Sequence, residues 1–151
     1  MIRRLSTGTA VVHSSTVEGG WAAVPPVIVA AMTKVTQAVG AYGERLAARH
    51  LVEAGLVVLE RNWRSRSGEI DIIARDGDAL VLCEVKTRRG FGYGRPSEAV
   101  GPRKLAKLRQ LAGEWLAQSR VRPREVRFDV VEVYSPRQGK PRVEHIRGVG
   151  W

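Results

Sequence analysis

The chain has 151 residues, 44% of them hydrophobic, which suits one domain with a sizeable core and excludes a wholly disordered protein. Twenty-five Lys and Arg against fifteen Asp and Glu give a net charge of +10, a field that draws polyanions such as nucleic acid or anionic membrane, with plain solubility as the alternative. The single cysteine, Cys83, cannot close an intrachain disulfide, and its place in an apolar run points to a buried thiol in a reducing, cytoplasmic setting.

Residues 1–36 mix Ser, Thr, Gly and Pro with few charges and no sustained period, so a disordered N-terminal extension is expected there, with the folded domain over 37–151. The apolar run from Trp21 to Met32 is broken by Pro25-Pro26 and is too short to cross a bilayer, and Arg3-Arg4 lie too far upstream for a simple signal peptide. No membrane partner is expected. Met32 is a candidate for the biological start, which would leave 1–31 outside the native protein. From Val39 to Ala54 the composition turns helical, with Gly55 placed as a C-terminal cap. Glu44 has Gly40, Ala41, Ala47 and Ala48 at its three- and four-residue spacings, so its own helix offers it no base. Either it is a carboxylate aimed from a closely packed small-residue face or it is a solvated Glu.

Leu56 to Leu59 suits a short buried strand, and Glu60 to Arg64 leads through a Ser- and Arg-rich turn, with Trp63 at the sheet margin. The stretch GEIDIIARDGDALVLCEVK, Gly68 to Lys86, is two apolar runs about Asp76-Gly77, a strong hairpin signal. With Asp76-Gly77 as a two-residue loop, Arg75 pairs with Asp78, Ile73 with Leu80, Asp71 with Leu82 and Glu69 with Glu84. Leu82, Glu84 and Lys86 then share a face, and Asp71 is the diagonal neighbour of Glu84. An odd-length loop would instead turn Asp71 to the opposite face.

Beyond Lys86, Arg88, Arg89 and Arg95 alternate with Gly90, Gly92, Gly94, Phe91 and Tyr93, which reads as a flexible basic loop able to hold phosphates and stack on bases. Gly101-Pro102 opens a second helix running to about Gln118, with Leu105, Leu108, Ala112, Trp115 and Leu116 as its buried stripe and Arg103, Lys104 and Lys107 on the exposed side. From Lys86 to Arg109 there are eight Lys or Arg and one acid, Glu98. Val126 to Tyr134 alternates as a strand, and Val143 to Ile146 adds a short last one.

Asp71 and Glu84 on one face, with the Val85 carbonyl, suit a hard divalent cation such as magnesium. Lys86 would orient the nucleophile or stabilise developing charge, and phosphodiester hydrolysis fits these parts. The bland alternative is a cross-strand ion pair on a solvated sheet face. Glu69 is a further ligand, an outer group or a strand-end residue. No Cys or His pair has metal-ligand spacing, His13, His50 and His145 are scattered, and no phosphate-loop or dinucleotide fingerprint occurs.

The run Gly68-Glu69-Ile70-Asp71, then Glu84-Val85-Lys86, preceded by Gly43-Glu44 on a helix, resembles the PD-(D/E)XK nuclease pattern and, more narrowly, the YraN family of small bacterial proteins. Further matches are Asn62-x-Arg64, Glu98-Ala99-Val100, Lys104, Arg127-Phe128-Asp129 and His145-Ile146, so the resemblance covers about 39–151. Ile70 stands where that superfamily often has Pro. The resemblance implies an α/β fold with a restriction endonuclease-like core, a mixed central β-sheet flanked by α-helices, related to Holliday-junction resolvases. It further implies metal ligation (Mg2+ or Mn2+) by Asp71 and Glu84, a third acid at Glu44 and a catalytic lysine at Lys86. The expected activity is hydrolysis of DNA, branched or recombination and repair intermediates included. A homodimer is one expected assembly, since related resolvases act as dimers. The alternative is a non-catalytic nucleic-acid-binding protein that keeps the fold and uses Arg88, Arg89, Arg95, Arg103, Lys104 and Lys107 on phosphates. A third is a scaffold with incidental charge. Asp129 sits inside a strand, where a structural and a functional role are both open.

Overall fold

Proline's fixed φ suits the first turn of a helix, and in the computed structural model, which describes residues 26–89 and 100–150, the first helix opens at such a residue. This helix, α1, spans Pro26–Glu53 and so begins well before the expected Val39, inside the segment read as an arm. Residues 1–25 of that segment lie outside the described residues. At its far end Gly55 takes φ 93° while the amides of Leu56 and Gly55 donate to the carbonyls of Leu51 and Val52, both at 3.0 Å. That pairing is a Schellman cap, and only the left-handed residue between the two amides needs to be glycine.

Strands β1 (Val57–Ser65), β2 (Gly68–Asp76) and β3 (Ala79–Arg88) follow, then α2 (Pro102–Gln118), β4 (Glu125–Tyr134) and β5 (Arg142–Ile146). They form one mixed five-stranded sheet in the order β1-β2-β3-β4-β5. Only β3 and β4 run parallel, joined across α2, as a parallel pair requires a crossover. The short buried strand expected at Leu56–Leu59 is corrected: β1 runs on through Trp63 and Arg64, and it lies at a sheet edge with Val57 and Leu59 exposed.

The hairpin register is corrected by two residues and keeps its parity. Asp76 pairs with Ala79, Arg75 with Leu80, Ile73 with Leu82 and Ile72 with Cys83, so Gly77-Asp78 is the loop, with Gly77 at φ 58°. Side chains alternate along β3 between two cores. Leu80 and Leu82 join Trp63, Ile70, Ile73, Phe128 and the α2 residues Leu108, Leu111, Ala112 and Trp115. Val81 and Cys83 join Ile72, Ala74, Val131, Val133 and the α1 residues Ala47 and Leu51. One helix therefore covers each face of the sheet. No helix of the described residues is long and apolar enough to cross a membrane.

Candidate active site at the fork of the sheet

Backbone pairing between β2 and β3 stops at Ile72 and Cys83, although both strands continue. The remainder of β2 stays with β1, where Trp63 pairs with Ile70 and Ser65 with Gly68. The remainder of β3 stays with β4, where Glu84 pairs with Val130 and Arg88 with Tyr134. The sheet thus forks, and Asp71 and Glu84 are the first residues on either side of the opening. The same register, continued by one step, sets them directly opposite rather than diagonally. An unpaired amide at the fork needs an acceptor. Asp71 supplies it: its Oδ2 accepts from the Val85 N–H at 2.8 Å.

Asn62 stands opposite Asp71 in β1, between the pairs Arg61–Ile72 and Trp63–Ile70, and has φ 52°, the one positive φ among the described non-glycine residues. Asparagine tolerates this left-handed backbone better than most residues. Side-chain alternation breaks at the same place, since Ile70 and Ile73 both face the α2 core. The sequence marks Asn62 only as part of Asn62-x-Arg64, because a left-handed residue inside a strand has no periodic signature.

The fork lets both helices contribute. On the α1 side Gly43 is buried against Thr87 of β3, so closely that a Cβ there would collide with the Thr87 hydroxyl. This approach brings the next residue, Glu44, near enough that its charge acts on Asp71. Burial pushes the Asp71 carboxyl above the ordinary aspartate value; the Val85 amide opposes this, and the charges of Glu44, Glu84 and Glu69 add to it. Of the small neighbours of Glu44, Ala47 is buried, whereas Ala41 is exposed and Gly40 has open space beside it, so the close approach is made at Gly43. Glu69 is itself exposed and pairs with Arg64 at 3.3 Å.

On the α2 side Glu84 is nearly enclosed, with 13% of its side chain exposed. Its Oε1 carries two ammonium groups, Lys86 at 3.0 Å and Lys104 at 3.3 Å, while its buried Oε2 has no hydrogen-bond partner among the described residues. The expectation that Lys104 lies on the exposed side of the second helix is corrected. It precedes buried Leu108 by one helical turn and so shares the stripe that faces the sheet, where it helps line a cleft of about 60 Å³ with Glu69, Asp71 and Glu84. That spacing was the signal available in the sequence.

A buried carboxylate oxygen without a donor is costly, and a cation is one remedy. Among the described residues no three His, Cys, Asp or Glu stand as a ready-made metal cage. Magnesium needs less, since it is commonly held by one or two carboxylates and keeps several waters. Asp71, Glu84 and the Val85 carbonyl fit that donor set.

The remaining expected residues separate. Arg89, Arg103 and Lys107 are exposed. Arg88 turns inward, its Nε 2.6 Å from Oε1 of fully buried Glu132, and is committed to the fold. Arg95, with Phe91, Tyr93 and Glu98, lies outside the described residues. Asp129, whose role the sequence left open, is 2% exposed and saturated: it accepts from Arg127 at 2.9 and 3.0 Å and from the Gly148 amide at 3.0 Å, with His145 Nε2 at 2.8 Å. Burial alone would raise its carboxyl, but these bonds outweigh burial and hold it below the ordinary value. Arg127 also reaches Asp76 at 2.9 Å, so this network ties β4 to the hairpin end and to residues 145–148. Its role is structural. Cys83 is buried and its thiol is pushed up, above all by burial, so it is no nucleophile.

The mixed sheet with one helix on each face defines an α/β protein with a restriction endonuclease-like core. The sequence profile of the uncharacterised protein family UPF0102 matches residues 43–133, which take in the C-terminal part of α1 with Glu44, the whole hairpin, α2 and most of β4. The chain belongs to this family, the YraN family. A UPF0102 protein of a Nocardioides species is 54% identical over 120 residues, covering 80% of this chain and 97% of the relative. One from Kineococcus radiotolerans is 59% identical over 117 residues (77% and 96%), and one from Streptomyces griseus 60% over 113 residues (74% and 95%).

Proposed function

We propose that the protein is a metal-dependent nuclease that hydrolyses phosphodiester bonds in DNA, branched or recombination and repair intermediates included. The observation that carries this reading is the placement of Asp71 beside Glu84 at the fork, with the buried, donorless Oε2 of Glu84 inside and two lysines at the rim. A solvated cross-strand ion pair would not bury a carboxylate oxygen in this way.

A magnesium or manganese ion held by Asp71, Glu84 and the Val85 carbonyl would supply Lewis-acid polarisation of a phosphoryl oxygen. Asp71 is held for this task by the Val85 amide, which fixes one oxygen and leaves the other available. Glu44 adds negative charge from α1 and is the third acid. Lys86, tethered two residues from Glu84 and 42% exposed, presents its ammonium at the mouth of the cleft, where charge develops on the phosphate. Arg89, Arg103 and Lys107 would grip flanking phosphates. Water-exposed bases are suited to that work because they bind backbone without reading sequence. A cytoplasmic location belongs to the same proposal, in keeping with a free, buried Cys83.

The test is cleavage of branched, single-stranded and duplex DNA, and of RNA, with magnesium or manganese, for wild type, Asp71→Ala and Glu84→Ala. Cutting by the wild type alone is expected. Equal cutting by all three would remove the site, and binding that weakens steeply with salt without any cutting would favour a nucleic-acid-binding protein.

A further inference from the structure

Lys86 and Lys104 share one carboxylate oxygen, yet they are held there very differently. Lys86 lies two residues from Glu84 on the same strand face, so its ammonium is tethered close to that carboxylate by the strand itself. Lys104 comes from another element, the first turn of α2, and spans the cleft to reach Glu84 Oε1 at 3.3 Å. Its side chain is 42% exposed, which leaves it a path to solvent, and it stands between exposed Arg103 and Lys107. The contact closes the α2 side of the same small cleft that Asp71 and Glu84 line.

We infer that Lys104 is a displaceable counter-ion of Glu84: in the cation-free protein it neutralises the carboxylate that a divalent cation needs, and it swings to the nucleic-acid phosphate once that cation is bound. The inference rests on the metal-site reading above and adds to it a coupling between the two ligands. A divalent cation on this carboxylate repels the neighbouring ammonium twice as strongly as a second ammonium does, so Lys104 is released as the cation binds. A freed ammonium beside Arg103 and Lys107 then strengthens the grip on a polyanion. Phosphate and cation consequently favour each other's binding, and the reciprocal effect must be equal in size. Without nucleic acid, Lys104 holds cation affinity down.

The experiment measures Mn2+ binding to the full chain by electron paramagnetic resonance, without nucleic acid, for wild type, Lys104→Met and Lys104→Gln. Both variants keep the aliphatic stem, and thermal melts establish that they are folded. Removing the ammonium is expected to tighten Mn2+ binding roughly two- to fivefold, the range for a partly exposed ion pair. The gain should vanish in a Glu84→Gln background. In a second arm, Ca2+ should tighten binding of a short DNA duplex to wild type by a larger factor than to Lys104→Met. Unchanged Mn2+ affinity in both variants, with binding still abolished by Asp71→Ala, would overturn the counter-ion role and leave the metal site standing. Absence of Mn2+ binding in wild type and both variants would overturn the metal site, and this inference with it.

Discussion

The backbone amide of Val85 donates to Oδ2 of Asp71 at 2.8 Å across the fork between β2 and β3. A side chain thereby stands in for the strand partner that the amide loses there. An asparagine could accept the same bond through its carbonyl oxygen, without the charge. Since burial holds the Asp71 carboxyl above its ordinary value, native Asp71 contributes most stability below the ordinary aspartate range, and that contribution is lost as pH rises through the raised native value. Asp71→Asn is therefore expected to melt a few degrees higher than wild type at neutral pH, with the gap closing in acid. Melting curves across the acid-to-neutral range check it, and a neutral-pH loss of stability would contradict it.

At Gly43 the contact with Thr87 leaves no room for a side chain. Rotating Thr87 would move its hydroxyl and its Cγ2, but its Cβ would still stand 2.9 Å from an added methyl, so α1 itself must shift. Gly43→Ala is expected to lose roughly 0–2 kcal/mol net, the overpacking cost of roughly 1–3 kcal/mol being offset by the ~1 kcal/mol that alanine contributes to a helix. Adding Thr87→Ala should recover part of the loss. Urea unfolding of the single and double variants measures both numbers.

Asp129 anchors Arg127, His145 and the Gly148 amide from a position closed to water. Replacing it by alanine strands those donors, and a loss of roughly 3 kcal/mol or more is expected in chemical unfolding. Because its carboxyl is depressed, the stability it contributes is present above the ordinary aspartate range and disappears as pH falls through the lower native value. The difference between wild type and Asp129→Asn should accordingly shrink in strong acid.

Buried and exposed basic residues should behave in opposite ways. Arg88→Met leaves Glu132 charged and buried without its nearest base, and is expected to lower stability by roughly 3 kcal/mol. Arg103→Ala and Lys107→Ala should leave the melting temperature nearly unchanged. Each is expected to flatten the dependence of DNA affinity on salt by about 0.9 in the logarithmic slope, for one lost phosphate contact. Fluorescence anisotropy at several salt concentrations separates the two kinds of residue.

Much of the site could be read from local chemistry. Alternation along β3 placed Glu84 with Leu82 and Lys86, and the even parity of the turn kept Asp71 on the compatible side. The loop itself was displaced by a residue, because Asp76-Gly77 and Gly77-Asp78 offer nearly the same turn chemistry and only pairing along the strands decides between them. Pro25-Pro26 read as an interruption, whereas the second of them begins a helix. Lys104 was misplaced although its spacing to buried Leu108 was legible, whereas Arg88 and the left-handed backbone of Asn62 gave no local signal. The last two depend on packing between elements distant in sequence, and neither propensity nor period carries that information.

Gly150 packs so tightly on Leu105 that even a methyl group there would overlap the leucine side chain, and the Val149 amide bonds to the Phe128 carbonyl at 2.8 Å. Leu105 follows Lys104 directly, so the first turn of α2 takes its seat against residues translated after every acid of the cleft. During synthesis Glu44, Asp71 and Glu84 leave the ribosome well ahead of the segment that steadies the helix facing them. Residues 149 and 150 thus help to seat the helical turn that brings Lys104 to the cleft.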